Sequence, residues 1–277
     1  MKRPGLSLLL LVFVCRVLPA QTPVSSERGF IEYLVGNNMA DDAAIYLDSK
    51  QFCPSDTLDF LRGWSNYCAN RLEKAADFFA CVGPSSPFYE KSVFSLAVCN
   101  AYAGKYDPAV LSAYNGPLQE LKSFELAGLA LLRDDPEAFK AASSDFSYSV
   151  FNLAEGEKTF DEIYKSRYLT PRKSPLLSAA MSAVVPGLGK IYAGRPDEGI
   201  MSFISVGCCA AITAENWSRY GPGNWKTILF GVLGSIFYIG NIYGSYVSVG
   251  IVNQRIENEQ KAAVMYSIHI PIRSFYN

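Results

Sequence analysis

The sequence predicts an all-α protein in which a domain of repeated helical hairpins is followed by a helical hairpin in a membrane. Three features indicate this fold: a segment like an export signal, a recurring turn-and-helix pattern, and two long apolar runs. Only 18% of the residues are charged, below the ~25% of an average soluble chain. The net charge of −1 argues against a nucleic-acid partner held through its phosphates.

Residues 1–20 have the organisation of a signal peptide. Lys2 and Arg3 precede an apolar run, and Leu18-Pro19-Ala20 is a plausible cleavage site. An uncleaved anchor and lipid modification at Cys15 are the alternatives. In each case the residues that follow are expected outside the cytoplasm.

A turn pattern recurs four times in the next part of the chain. Each copy has a turn residue, a short link and a small residue that opens a helix, and the small residues lie 32, 34 and 29 positions apart: Ala43, Ala75, Ala109 and Ala138. Acidic side chains near these helix starts suit the positive end of the helix dipole. Residues 21–148 are therefore predicted to be an exported domain of about four helical hairpins. An irregular helical bundle is the alternative.

This pattern resembles the tetratricopeptide repeat, a helical hairpin of about 34 residues. The small, small, aromatic and proline positions of that repeat are matched by Gly63, Ala75, Phe79 and Pro87, and Ala97 and Ala109 repeat the small pair. The resemblance implies a curved surface that binds a protein or peptide. The aromatic candidates for this contact are Trp64, Tyr67, Tyr102 and Tyr106, and core packing is the alternative for each of them.

Placed on hairpins of this kind, four cysteines fall at matching poles of their helices. We predict disulfides between Cys53 and Cys81 and between Cys68 and Cys99, because an exported domain permits them. A zinc site is disfavoured, since the chain has no C-x2-C spacing and one histidine, His269.

Residues 149–173 are predicted to be a polar linker with a short helix at 160–169. A membrane domain over residues 174–252 follows, with spans at 199–217 and 227–252. The loop between the spans is flanked by Trp217, Tyr220 and Trp225, as in an interfacial aromatic belt.

The second span carries small residues suited to close helix contact in lipid: Gly231, Ser235, Gly240 and Gly244. Asn241 lies on the same helix and needs a polar partner, on an adjacent helix or on a partner chain. We favour packing within the chain over the formation of a homo-oligomer through this glycine-rich helix.

Residues 174–185 are apolar but too short to cross a bilayer. We predict a helix that lies in the interface or enters partway, ended by Pro186 and a tight turn at Gly187 and Gly189. Lys190 and Arg195 are expected to reach lipid phosphates, and Tyr192 to lie among the headgroups.

The residues of this turn, Pro186-Gly187-Leu188-Gly189-Lys190-Ile191-Tyr192 followed by Gly194-Arg195 and Gly199, carry a second resemblance. They resemble the motif that opens two-transmembrane-helix domains, which occur in bacterial envelope proteins of unknown function. The resemblance covers about residues 175–250. It implies an architecture and no activity.

The polar tail at residues 253–277 is expected to begin as a helix and to end in a disordered terminus or a short strand at 266–272. Two spans place this tail on the same side as the repeats. If residues 174–192 also cross, the tail lies on the other side; we favour two spans.

The sequence contains no pattern typical of an active site, since a single histidine makes acid–base chemistry by histidine improbable. We expect a non-enzymatic scaffold, without a cofactor, in the bacterial inner membrane. Its repeats would lie in the periplasm and bind another envelope protein or peptide, with membrane lipid around the hairpin. The alternative is a small channel, transporter component or lipid-handling protein with the repeats as a regulatory cap.

Overall fold

The computed structural model describes residues 23–273, so the predicted signal peptide lies outside the described residues. Within this part the protein is helical and contains no β-strand. The all-α prediction is therefore confirmed. The chain divides into two compact units after Lys105, and each unit is described by itself.

The first unit begins with a short 3-10 turn at Val24–Ser26. The α-helices that follow are α1 (Arg28–Gly36), α2 (Ala40–Ser49), α3 (Asp56–Cys68), α4 (Leu72–Ala80) and α5 (Tyr89–Tyr102). Its core is aromatic: Phe60 stacks on Phe88 with ring centroids 4.5 Å apart. Gly63 lets α3 and α4 pack closely, because a Cβ atom at this position would stand 2.7 Å from the ring of Phe79.

The second unit begins with a single helical turn, α6 (Ala109–Ser112). It continues with α7 (Gln119–Arg133), α8 (Pro136–Ser143), α9 (Phe151–Tyr164), α10 (Pro175–Val184), α11 (Leu188–Ala193), α12 (Pro196–Tyr220) and α13 (Trp225–Arg273). A π-helical turn, Lys165–Leu169, follows α9 directly.

Four helices end with the same backbone geometry, at the four turns that the sequence repeat predicts. The residues in the left-handed conformation are Asn38, Asn70, Gly104 and Asp134, with φ of +60°, +59°, +75° and +61°. After each of them, the next amide N–H donates to the carbonyl five residues earlier, at 2.8–3.0 Å. This is the Schellman arrangement, which satisfies carbonyls at a helix end. The recurring turns are thus a property of the fold, while the tetratricopeptide resemblance stays a prediction.

Residues 149–173, predicted to be a polar linker, instead contain a packed helix. α9 buries Leu153, Phe160 and Ile163, and Phe160 stacks on Phe124 of α7 with centroids 4.6 Å apart. These apolar residues recur at helical spacing, so they form one buried stripe on an otherwise polar helix.

Helix α13 has 49 residues and is far longer than the predicted span. At ~1.5 Å per residue it measures roughly 74 Å, against roughly 30 Å for the hydrocarbon core of a bilayer. Its C-terminal part packs on α7 and α9: a Cβ atom at Gly128 would stand 2.5 Å from Cγ2 of Ile268. The predicted polar tail is therefore helical up to Arg273. The strand considered at 266–272 is absent, because the fully buried residues there, Ile268 and Ile272, are four positions apart and lie on one face of a helix.

Helices α12 and α13 are each long and apolar enough to cross a membrane. In the most apolar 18-residue window of each helix, only 11% of the residues are buried. These windows are therefore not the core of the described part of the protein.

If the C-terminal part of α13 completes the core with α7 and α9, Ile268→Ala will loosen those helices. A buried Ile→Ala change costs about 2–5 kcal/mol, whereas Ile256→Ala, on an exposed part of the same helix, is expected to cost about 0.5 kcal/mol or less. Hydrogen exchange of the full-length protein in detergent measures both. Faster exchange is expected in α7 and α9 for Ile268→Ala alone, with α3 and α4 unchanged. Equal protection of α7 in both variants would contradict this packing.

Candidate functional site

The turn between α10 and α11 is built from glycines at points where backbones cross. Gly187 has φ of +86°, and a Cβ atom on it would collide with the carbonyl oxygen of Gly199. A Cβ atom on Gly189 would collide with the carbonyl oxygen of Ser178. Both positions require glycine: at Gly187 the positive φ and the close approach exclude a side chain, and at Gly189 the close approach alone excludes one.

Helix α10 runs antiparallel to α13 and covers one half of its apolar segment. The Asn253 side chain donates to the carbonyl of Lys173 at 3.0 Å, before α10 begins. At the other end, the Tyr238 hydroxyl donates to the carbonyl of Ala183 at 2.6 Å. With ten residues, α10 is roughly 15 Å long, half of the apolar thickness of a bilayer. The turn therefore lies beside the middle of the apolar segment of α13, and α11 leads back.

A buried chain of hydrogen bonds fixes this turn to α13. The Gly189 amide donates to the Ser182 hydroxyl (2.9 Å), which lies 2.7 Å from the Ser245 hydroxyl, and Ser245 donates to the carbonyl of Asn241 (2.8 Å). The Ser178 hydroxyl lies within hydrogen-bond distance of the carbonyls of Gly189 and Ser245. All three serines have no solvent exposure. The polar atoms of the turn are thus satisfied by α10 and α13.

Asn241 is the polar partner of the turn itself. Its Oδ1 accepts from the Gly187 amide at 3.1 Å, and its Nδ2 donates to the carbonyl of Ser182 at 3.4 Å. The side chain is 4% exposed. The partner that the sequence requires for Asn241 is therefore the proline-glycine turn of the same chain.

The remaining motif residues make contacts within the protein. Lys190 donates to the Ser202 hydroxyl at 2.9 Å, and Arg195 forms an ion pair with Glu198. The Tyr192 hydroxyl accepts from the Ser174 amide at 3.2 Å. Gly194, at φ +96°, ends α11. The motif therefore sets the path of the chain from α10 to α12.

The glycines of α13 have separate surroundings and do not form one packing face. Gly231 and Gly234 approach α12, where a Cβ atom on Gly234 would stand 3.2 Å from Cβ of Cys209. Gly244 makes room for the Lys190 side chain, and a Cβ atom on Gly240 would meet nothing within 4 Å. Ser235 donates to the Gly231 carbonyl of its own helix. The helix contact predicted at Gly240 and Gly244 is replaced by the one at Gly234, because the turn occupies the side of α13 near Gly244.

Two of the four aromatic candidates are core residues. Trp64 and Tyr67 are 8% and 9% exposed, and Trp64 stacks on Phe60. The proposal that they contact a partner is corrected, because their side of α3 faces the interior of the first unit. Tyr102 is exposed and Tyr106 is half-buried, so both stay candidates.

Sequence reasoning missed three exposed apolar side chains on the first two helices. They are Phe30 and Tyr33 on α1 and Ile45 on α2, which are 45%, 62% and 60% exposed. The periodicity of α1 and α2 alone did not show which apolar residues lack cover. We refer to these three residues as the α1–α2 patch.

Neither predicted disulfide is present. The thiols of Cys68, Cys81 and Cys99 are free, and the Cys81 thiol donates to the carbonyl of Asp77 at 3.3 Å. Cys99 is fully buried, while Cys68 lies near the surface at the end of α3. Burial raises the pKa of Cys99 to about 12 and that of Cys68 to about 11, so both thiols are protonated at neutral pH.

Two features of the titratable groups stand out among the described residues: the absence of a metal-binding cluster and one buried acid. No group of three or more His, Cys, Asp or Glu side chains between residues 23 and 273 is placed to hold a metal ion. Glu125 is buried, and desolvation raises its pKa well above the ordinary value, which favours the neutral acid. Its Oε1 has no hydrogen-bond partner. Asp135 caps α8 by accepting from the Ala138 amide at 3.0 Å.

Comparisons with known proteins found no matching family model, no matching curated protein and no matching solved structure.

The glycine requirement of the turn can be tested with Gly187→Ala and a matched Gly207→Ala on α12. A methyl group on Gly187 collides with backbone, whereas a Cβ atom on Gly207 meets nothing within 4 Å. We expect Gly187→Ala to lower the midpoint of thermal aggregation in detergent by about 5 °C or more, and Gly207→Ala to leave it unchanged or raise it. Size-exclusion chromatography of heated samples gives the midpoints. Equal midpoints for the two variants would be evidence against the close crossing.

Proposed function

We propose that this protein is a membrane-anchored, non-enzymatic scaffold of the bacterial cell envelope. In this proposal α12 and α13 cross the inner membrane, α10 and α11 form a re-entrant hairpin, and the helices before residue 165 bind another envelope protein or peptide. The observation that carries it is the exposure of the most apolar helices of the described chain.

Many apolar side chains of α12 and of the first part of α13 have no cover from the described residues. Phe203, Ile236, Ile239 and Tyr243 are 55%, 58%, 66% and 70% exposed. Soluble monomers rarely expose apolar patches larger than a few hundred Å². Lipid supplies the missing cover in the proposed arrangement, and the charge-free stretch from Thr227 to Val252 is long enough to cross.

The path of the chain supports two crossings. α13 returns to the helices that precede the membrane segment, where Ile268 packs against Gly128. The start of α12 and the end of the apolar part of α13 therefore lie on one side, and residues 221–224 lie on the other. With export directed by the N-terminal signal, this side is the periplasm, and the C-terminal helix lies there with the repeats.

The α1–α2 patch and Tyr102 are the proposed contacts with a partner. Exposed aromatic residues are frequent anchors in protein interfaces because they bury a large area with few rotamers. These three side chains are exposed, whereas other large apolar side chains of the same unit, such as Leu61 and Phe94, are in the core.

A channel or transporter receives less support. The polar side chains beside the turn, Asn241, Ser182 and Ser245, are used in hydrogen bonds that hold the turn in place. Ion pathways in membranes usually keep ionisable groups or vacant backbone ligands at mid-depth. The ionisable residue of this turn, Lys190, lines a cavity with Asn241 but donates to the Ser202 hydroxyl. The described polar contacts of the turn therefore hold the chain in place, which favours the scaffold.

Membrane insertion predicts resistance to alkaline carbonate. The full-length protein is expected to stay in the pellet after carbonate washing and to be released by detergent. A variant with Ile236, Ile239 and Phe237 changed to aspartate is expected in the supernatant or to be degraded, because each charge costs about 3 kcal/mol or more in mid-bilayer. Release of the unaltered protein by carbonate would refute the proposal.

Partner binding predicts position-specific crosslinking in intact cells. A photoreactive amino acid in place of Tyr33 is expected to give a discrete adduct, whereas the same residue in place of Glu73, exposed on α4, is expected to give none. Adding Ile45→Asp is expected to reduce the Tyr33 adduct at least fivefold. Adducts of equal yield from Tyr33 and Glu73 would show that the α1–α2 patch has no selective partner.

A further inference from the structure

A small cavity lies where the chain passes from α9 to α10 and packs on α13. Its volume is about 190 Å³. The polar side chains that line it and enter the argument are Arg167, Arg172, Lys173, Asn253, Glu257 and Gln260. The cavity lies entirely within the second unit.

The cavity lies where α10 begins and where the charge-free stretch of α13 ends. Lys173 is separated from the first turn of α10 only by its capping residue, Ser174. Asn253 directly follows the charge-free stretch of α13 and hydrogen-bonds to the carbonyl of Lys173. In the proposed membrane arrangement, this is the level of the phospholipid headgroups.

Arg167 is a buried residue in the lining of the cavity. The π-helical turn Lys165–Leu169 carries it, and π-helical turns are rare and frequently occur at functional sites. Its side chain is 3% exposed. Nη1 donates to the carbonyl of Leu131 at 2.6 Å, and Nε donates to Oε1 of Gln260 at 3.3 Å.

The third nitrogen of this guanidinium, Nη2, has no hydrogen-bond partner. The carboxylate paired with Arg167 belongs to Asp134, 3.8 Å from Nη1. A buried charged donor without an acceptor is costly. The buried positive charge of Arg167 in the wall of the cavity therefore favours an anion from outside the chain.

The charges around the cavity indicate the sign of that acceptor. Arg167, Arg172 and Lys173 bring three positive charges, and Glu257 brings the only carboxylate among its lining residues. Glu257 is 3.9 Å from Arg172, at the limit of an ion pair, and it also pairs with Lys261 at 3.0 Å. The Lys173 ammonium lies 5.8 Å from the ring centre of Tyr192. The lining therefore has an excess of positive charge that suits a phosphate.

We propose that this cavity binds the phosphate of an anionic phospholipid. The proposal rests on the membrane insertion proposed above. Arg172 and Lys173 hold the phosphate at the mouth, and Arg167 supplies a fixed positive charge behind it.

A membrane lipid fits this site better than free phosphate does. Apolar side chains are exposed where the apolar segments begin beside the cavity: Leu176 and Leu177, in the first turn of α10, are 74% and 50% exposed. An acyl chain that extends from the bound phosphate along the apolar segments of α10 and α13 would cover such surfaces.

The test uses full-length protein, solubilised in a neutral detergent, and native mass spectrometry with added lipid. Dioleoyl phosphatidylglycerol and dioleoyl phosphatidylcholine are compared at equal concentrations. The double variant Arg172→Gln, Lys173→Gln removes two exposed charges of the site and leaves Arg167 in place. Arg255→Gln is the matched control, because Arg255 is a nearby α13 cation, 77% exposed and paired with Glu259 outside the cavity.

The unaltered protein is expected to retain phosphatidylglycerol in preference to phosphatidylcholine. With about 1 kcal/mol per basic residue near a charged lipid, the double variant is expected to lose binding by about tenfold to thirtyfold. Arg255→Gln is expected to change binding less than twofold.

Three outcomes would overturn the proposal. The double variant could bind phosphatidylglycerol as the unaltered protein does, or Arg255→Gln could lose binding to the same extent, which would indicate general surface charge. Displacement of the lipid by millimolar inorganic phosphate would indicate a site for free phosphate. If the double variant stays in the carbonate pellet but loses the lipid, the cavity accounts for the lipid binding and membrane insertion is intact.

Discussion

The second unit depends on one constraint: a chain that reverses beside the middle of an apolar helix must satisfy its own backbone polar groups. Asn241 meets this requirement by accepting from the Gly187 amide and donating to the Ser182 carbonyl. In lipid, an unpaired backbone group costs several kcal/mol. The same constraint requires glycines in the turn. A side chain at Gly187 or Gly189 would prevent the close approach that these bonds need.

Helix α13 joins two environments without a break. Its first part carries the apolar surface and accepts the turn, and its last part buries Ile268 and Ile272 against α7 and α9. A flexible tether would need only the first of these parts. Because one helix takes part in both, the position of α7 and α9 is fixed relative to the apolar helices.

Local rules in the sequence were enough to predict the helix ends. Asn, Gly and Asp tolerate positive φ, and the turns at Asn38, Asn70, Gly104 and Asp134 were therefore found where they were expected. The faces of the helices were harder to predict. Trp64 and Tyr67 were candidates for partner contact, with core packing as the alternative, and they are buried, because the cover of a helix comes from elements distant in sequence.

Long-range packing also explains the missed parts of the site. The apolar stripe of α9 lies on a helix that is otherwise polar, so its residues did not stand out from a linker. Asn241 could be identified as needing a partner, but that partner lies 54 positions earlier in the chain. The cavity around Arg167 could not be predicted either, since Gln260 and Arg167 are 93 positions apart. Only the fold brings these residues together.

The order of contacts along α13 determines how a bound anion would affect the position of this helix. Asn241 holds the helix at the turn, Ile268 holds it in the core, and Asn253, Glu257 and Gln260 lie between these two points. A helix held at two points cannot slide without breaking one of those contacts, because packed contacts are not continuously deformable. An anionic headgroup bound at Arg172 and Lys173 would therefore stabilise a helix position that the protein already prefers. It would bind to a preformed site, and the ordering cost of binding would fall mainly on the two exposed basic side chains.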